Sequence, residues 1–188
     1  MMKKRCSWVE GKEDIYLKYH DEEWGKPVFD DAVLFEFLLL ESFQAGLSWI
    51  TILKKRDNFR QAFDSFDYKK ISKYNQEKVE ELLLNEGIIR HRGKIEATIN
   101  NANLFQDIQI EFGSFSNYLW AFVNQIPVLN AFETLKDVPP KTELSDQIAK
   151  DLKKRGFKFM GSTTVYAFMQ AVGLVNDHVS DCFCFKKE

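Results

Sequence analysis

The sequence predicts an all-α fold. Apolar residues recur at three- and four-residue spacing through most of the chain. Alternating strand-like runs are nearly absent, and capping residues or glycines bound most of the periodic segments. Asp30 or Asp31 caps a helix that carries Leu34, Phe37, Leu38 and Glu41 and ends near Gly46. The next starts near Ser48, carries Ile52, Phe59 and Phe63, and runs toward Asp64. Over residues 76–86, Val79, Leu82 and Leu83 share a stripe, with Gly87 as C-cap. Residues 93–108 carry Ile95, Ile99, Ala102 and Leu104, and further helices fit 114–124, 144–155 and 163–174. Pro127, Pro139 and Pro140 break the pattern between 125 and 143. No internal period appears, which excludes a solenoid.

At 188 residues, 45% hydrophobic and 29% charged, the chain has ordinary globular composition and can bury a core without disulfides. No segment reads as a membrane span, and the charged start Met1–Arg5 is not followed by an apolar run, so the expected location is cytoplasmic. The net charge of −2 hides an uneven distribution. Glu10–Glu23 is acidic, whereas basic knots stand at Lys54-Lys55-Arg56, at Arg90-His91-Arg92-Gly93-Lys94, and along Lys150–Lys158. Each alone reads as a solvated helix face; three knots near turns suggest a phosphate-contacting face.

The 17 phenylalanines fall mostly on helical stripes and read as core. Trp8, Trp24 and Trp49, near Tyr16 and Tyr19, form an aromatic group at the N-terminal end, readable as a mini-core or a stacking site. The three cysteines, an odd number, argue against a disulfide framework. Cys6 and His20 lie near one end of the chain, His178 and Cys182 near the other at i, i+4 spacing. Two thiolates and two imidazoles would close a tetrahedral zinc shell and staple the ends together. The two pairs also stand as unrelated residues, and Cys184 competes as a ligand.

Glu41 projects from the apolar stripe of its own helix, where a carboxylate must be paired, hydrogen-bonded or used. A structural acid and a functional one both satisfy that position. The run Arg155-Gly156-Phe157-Lys158-Phe159-Met160-Gly161-Ser162-Thr163-Thr164 joins a basic helix end to an apolar helix, whose first amides are candidates for phosphate contact.

Several blocks together resemble the DNA-3-methyladenine glycosylase I family. They are Cys6-Ser7-Trp8, Tyr19-His20-Asp21-Glu22-Glu23-Trp24-Gly25, Gln44-Ala45-Gly46-Leu47-Ser48-Trp49, Gly87–Lys94, Lys154-Arg155-Gly156-Phe157-Lys158-Phe159 and Gly173–His178. The match runs from Cys6 to Cys182 and is loosest after Gly113. The resemblance implies a helix-hairpin-helix glycosylase fold, one domain over 1–188 with two intertwined lobes, and one structural zinc on Cys6, His20, His178 and Cys182. It implies a lesion pocket of Glu41 with Tyr16, Tyr19, Trp49 and Trp8. DNA phosphate would meet the hairpin through Gly161, Ser162 and Thr163, with Lys154 and Arg155 beside it. The implied activity is excision of 3-methyladenine from alkylated double-stranded DNA by a monomer. No lysine lies within Gly161–Gly173, which points to hydrolysis without lyase chemistry. Asp177 is a further catalytic candidate, although its neighbour His178 suggests a role at the metal. The competing reading is a zinc-stapled helical DNA-binding module without catalysis, with Glu41 structural. A zinc hydrolase fits poorly, because a four-ligand shell leaves no place for a catalytic water.

Overall fold

The computed structural model describes residues 3–185, so the extreme ends of the expected 1–188 domain lie outside it. The chain forms helices α1 (Asp14–Glu22), α2 (Asp31–Gln44), α3 (Trp49–Ala62), α4 (Tyr68–Ile71), α5 (Gln76–Leu84), α6 (Arg92–Phe112), α7 (Phe115–Ala121), α8 (Glu143–Arg155) and α9 (Ser162–Ala171). Two-residue strands β1 (Val128–Leu129) and β2 (Val175–Asn176) pair in parallel.

Helix α2 is the axis. Its sequence is apolar nearly all round rather than striped, and Leu34, Phe35 and every residue from Phe37 to Phe43 are buried. It packs against α3, α6, α7 and α9. The two adjacent aspartates divide the capping: Asp30 accepts from the Ala32 and Val33 amides, starting α2. Asp31 accepts from the Phe115 and Ser116 amides, capping α7 across the core. At the other end of α2, the Lys94 ammonium donates to the Phe43 and Ala45 carbonyls at 2.7 and 2.6 Å, a cation on the negative end of the helix.

Several boundaries differ from the sequence expectation. Helix α6 continues to Phe112, because the first residue able to end it at low cost is Gly113 at φ 82°. Asp64, Ser65 and Phe66 take left-handed backbone and turn the chain into the short α4. Helix α1 lies in the acidic stretch read only for its charge.

The segment after α1 is fastened to the end of α9. Gly25 donates to the Gln170 carbonyl and Val28 to that of Val172. Gly173 makes the approach possible: at φ 67°, a Cβ there would sit 2.2 Å from the Lys26 carbonyl carbon. No helix among the described residues is long and apolar enough to cross a membrane.

Candidate active site and metal centre

A cavity of about 320 Å³ opens between three walls. The first comes from the N-terminal segment and α1 (Trp8, Tyr16, Tyr19 and Trp24), the second from α2 and α3 (Glu41, Gln44 and Trp49). The third is the α9 stripe Thr163, Tyr166, Ala167 and Gln170, whose i, i+3, i+4, i+7 spacing places them on one helix face. Leu135, Val138, Pro139 and Pro140, from the proline-broken segment, complete the rim.

The aromatic groups are both a mini-core and a cavity lining. Trp8 meets Tyr16 and Trp24 edge to face at 5.0 and 5.1 Å, and Trp49 lies 5.2 Å from Tyr19. The indole N–H groups of Trp8 and Trp49 are buried with no hydrogen-bond partner among the described residues. Glu41 is only 3% exposed and has neither a hydrogen-bond nor an ion-pair partner among them. Burial alone pushes its carboxyl up to about 8. Burial, and then Glu41, also raises the Tyr16 and Tyr19 hydroxyls. Unpaired donors and an unpaired acid around one hollow form a site prepared for a polar, flat partner, and such orphan groups are rare where nothing binds.

Cys6, His20, His178 and Cys182 converge, all buried, with ligand atoms within 4.8 Å of one another. Cys6 Sγ lies 3.6 Å from His178 Nδ1, and Cys182 Sγ lies 3.5 Å from His20 Nε2 and 3.8 Å from His178 Nδ1. The sulfur–nitrogen edge of a tetrahedron with ordinary zinc bond lengths is about 3.5 Å. The nitrogens turned away from the centre are held from behind. His20 Nδ1 meets Asp21 at 2.8 Å, which Arg5 grips, and His178 Nε2 meets the Trp24 carbonyl at 3.1 Å. The two thiols act on each other: the contact with Cys6 holds Cys182 below the ordinary thiol range, and the same contact raises Cys6. The residues fit a metal ion. Cys184, only half-buried, stands outside this set and joins His20 and Asp21 in a second, less buried group.

The other expected contacts separate. Helices α8 and α9 pack together through a turn with left-handed backbone at Gly156 and Phe159. Helix α6 clamps that turn. Buried Asn101 accepts from the Lys158 amide and donates to its carbonyl, both at 2.9 Å, and Asn100 donates to the Gly156 carbonyl. Gly161 and Ser162 open α9 with no side-chain cap, although the Ser162 hydroxyl is bonded to Ser145. Thr163 lines the cavity.

Lys154 is exposed and makes no ion pair among the described residues, as do Lys150, Lys153 and Lys158. Arg155 differs: Asp151 and Glu111 hold its guanidinium at 2.7 and 2.6 Å against the Phe112 and Tyr118 rings. The other two basic knots are largely spent inside the fold. Lys54 meets Glu13, Lys55 the carbonyls of Glu86 and Gly87, and Arg56 both Glu23 and Glu36. Arg90 and Arg92 pair with Glu86 and Glu80, His91 caps α6, and Lys94 is buried. The lysines of 150–158 are thus the part of the expected three-part phosphate face that no ion pair engages among the described residues, while the pairs made by Lys54, Arg90 and Arg92 lie exposed to solvent.

Asp177 does not line the cavity. Its oxygens accept from Asn130 (2.8 Å), Tyr166 (2.5 Å) and Gln170 (2.7 Å). Gln44, Tyr166 and Gln170 were not singled out from sequence as cavity residues, and Trp24 only as a member of the N-terminal aromatic group. For the α9 pair, the signal was a polar Gln170 seven residues after Thr163 on an otherwise apolar helix.

Residues 8–185 match the model of the methyladenine glycosylase family. The chain is 51% identical to a DNA-3-methyladenine glycosylase of Haemophilus influenzae, over 97% of its own length and 98% of the relative's. It is 50% identical to DNA-3-methyladenine glycosylase 1 of Escherichia coli, over 96% of each. A solved structure of 3-methyladenine DNA glycosylase I from Staphylococcus aureus, described as showing the basis of 3-methyladenine recognition, superposes with a TM-score of 0.94 at 38% identity, over 98% of this chain and 97% of that one.

Proposed function

The chain belongs to the methyladenine glycosylase family, and from that premise we propose that it turns 3-methyladenine out of alkylated duplex DNA and hydrolyses the bond to its sugar. It is a DNA glycosylase, a hydrolase of N-glycosyl bonds. The observation that carries the finer reading is Glu41, a buried carboxyl without a partner among the described residues, on the wall of an aromatic cavity. An adenine methylated at N3 while attached to sugar is a cation. Tyrosine and tryptophan faces attract it, and a carboxylate in a low-dielectric hollow gains most from a positive partner that can hydrogen-bond to it.

The chemistry asks little of an acid. When the C1′–N9 bond breaks, its electron pair passes to the base, which leaves neutral, and water supplies the oxygen to C1′. The protein's part is to hold the extruded base, which a damaged pair releases at lower cost, and to exclude competing geometries. The one buried lysine close to α2, Lys94, has its ammonium committed to two carbonyls, which supports a reaction without an amine nucleophile.

Cys6, His20, His178 and Cys182 would hold one zinc ion in a closed shell, supplying structure and no reacting oxygen. In the helix-hairpin-helix reading, the α8–α9 turn meets DNA phosphate through the uncapped start of α9, with Lys154 and its lysine neighbours nearby and Arg155 serving to brace α8. The test is incubation with DNA methylated by dimethyl sulfate, followed by chromatography of the free bases. Release of 3-methyladenine is expected; DNA binding with no base released would leave the non-catalytic module as the reading.

A further inference from the structure

The buried carboxylate of Asp177 is not needed to explain either the cavity's acid or the metal shell. It sits between them: His178 follows it in sequence, and its three hydrogen-bond donors come from the α9 wall and from Asn130 beside β1. The Asn130 and Gln170 amides and the Tyr166 hydroxyl all donate to its two oxygens. For Gln170 this settles which end of the amide faces which way. Nε2 is bound to Asp177 at 2.7 Å, and Oε1 is the end left over. Oε1 accepts from nothing among the described residues, yet it is not among the buried unpartnered atoms, so it remains reachable on a side chain that lines the cavity. Tyr166 on the same wall has its hydroxyl hydrogen turned to Asp177, and the Thr163 hydroxyl rotates freely. Gln170 Oε1 is therefore the fixed directional group of this wall, and it is an acceptor.

Resting on the glycosylase reading, we propose that Asp177 and Gln170 set the pocket's choice between purines. Asp177 is a positioning residue that locks the Gln170 amide, and Gln170 Oε1 then receives an N–H from the amino group at position 6 of an adenine-type base. A guanine-type base carries a carbonyl oxygen there, and two acceptors would face each other without a hydrogen. A site built around one sense of hydrogen bond rejects the opposite sense more strongly than it rewards the right one, because the mismatched groups stay desolvated and unpaired.

The experiment uses duplex DNA methylated with dimethyl sulfate, which carries both 3-methyladenine and 3-methylguanine. Single-turnover release of each is measured for wild type, Gln170→Leu and Asp177→Asn, with zinc content and melting temperature recorded alongside. The ratio of 3-methyladenine to 3-methylguanine release is expected to fall about tenfold in Gln170→Leu, the scale of one hydrogen bond. In Asp177→Asn it should fall in the same direction, since the freed amide can rotate. A merely structural role would slow both releases together and leave the ratio where it was. Gln170→Leu keeps the test open should Asp177→Asn fold poorly, because Asp177 retains its Tyr166 and Asn130 donors there. A folded Gln170→Leu protein with an unchanged ratio overturns the proposal while leaving the glycosylase reading intact. Wild type that releases neither base overturns both.

Discussion

Replacing Glu41 by Gln should make the ligand-free protein more stable, and the gain should grow with pH. The carboxyl is raised by burial from 4.5 to about 8. The sign follows from proton counting. Between those two values the folded state keeps a proton that the unfolded chain releases, so stability falls as pH rises. Below about 4.5 both states are protonated and nothing is lost; above about 8 both are ionised and the loss levels off. At about 1.4 kcal/mol per unit, wild type loses roughly 1 kcal/mol by pH 5 and roughly 3 kcal/mol by pH 7. Gln has the same shape and no charge to desolvate, so it escapes this loss. Urea melts of both proteins at pH 5, 6, 7 and 8 measure it, and taking the difference at each pH cancels any effect of pH on the metal shell. The variant should lead by a margin that widens toward pH 8, while excision of 3-methyladenine falls because the charge partner of the cationic base is gone. A margin that does not change with pH, or a variant less stable at pH 7, would mean that Glu41 has a partner in the folded protein, and the reasoning would fail.

Two further outcomes follow from the same geometry. Purified protein should carry about one zinc per chain, and Cys182→Ser should lose it, with a lower melting temperature and looser chain ends; metal-free protein that melts at the wild-type temperature would refute the shell. Lys154→Ala combined with Lys158→Ala should weaken binding to damaged and undamaged duplex alike and reduce the salt slope by about 2, whereas Arg155→Ala should mainly lower stability because Asp151 and Glu111 lose their partner; titrations at several salt concentrations separate the two.

Sequence periodicity located α2, α3 and α5 to α9 because their faces are apolar at helical spacing, and it placed Glu41 among buried residues for the same reason. Helix α1 escaped because its apolar residues are interleaved with acids, and its inward face is closed by aromatic rings rather than aliphatic ones. The basic knots misled for a different reason. Charge was summed along the chain, but the acids that neutralise Arg56 and Arg92 arrive from other elements, as Glu23, Glu36 and Glu80. The lysines of 150–158 stand apart because no acid among the described residues forms an ion pair with them. The wall formed by Tyr166 and Gln170, and the rim from Leu135 to Pro140, come from segments far from Glu41 in sequence, and only tertiary packing reveals them.

The proposed metal centre would supply no reacting group, yet the N-terminal wall and part of the α9 wall of the cavity are one step from its ligands. Trp8 lies two residues after Cys6 and packs on the His20 ring at 5.3 Å. Tyr16, Tyr19 and His20 occupy i, i+3 and i+4 of α1, so a ligand bond at His20 fixes the rotation of that helix and with it the two tyrosines. Trp24 stacks edge-on to His178 at 4.6 Å and gives its carbonyl to the same ring. Asp177, beside His178, holds the α9 wall. Tyr19 and Tyr166 belong to the main core, and Trp8, Tyr16 and Trp24 pack against it, so the cluster of ligands and the core share the aromatic wall. Losing the ion should therefore loosen first Trp8 and Trp24, the partly buried rings that pack directly on His20 and His178. Recognition of a flat cation depends on ring positions held to about half an ångström, so the proposed ion would act on specificity through packing alone. This gives a reason for joining two chain ends that form only a small cluster of their own: they brace one wall of the cavity.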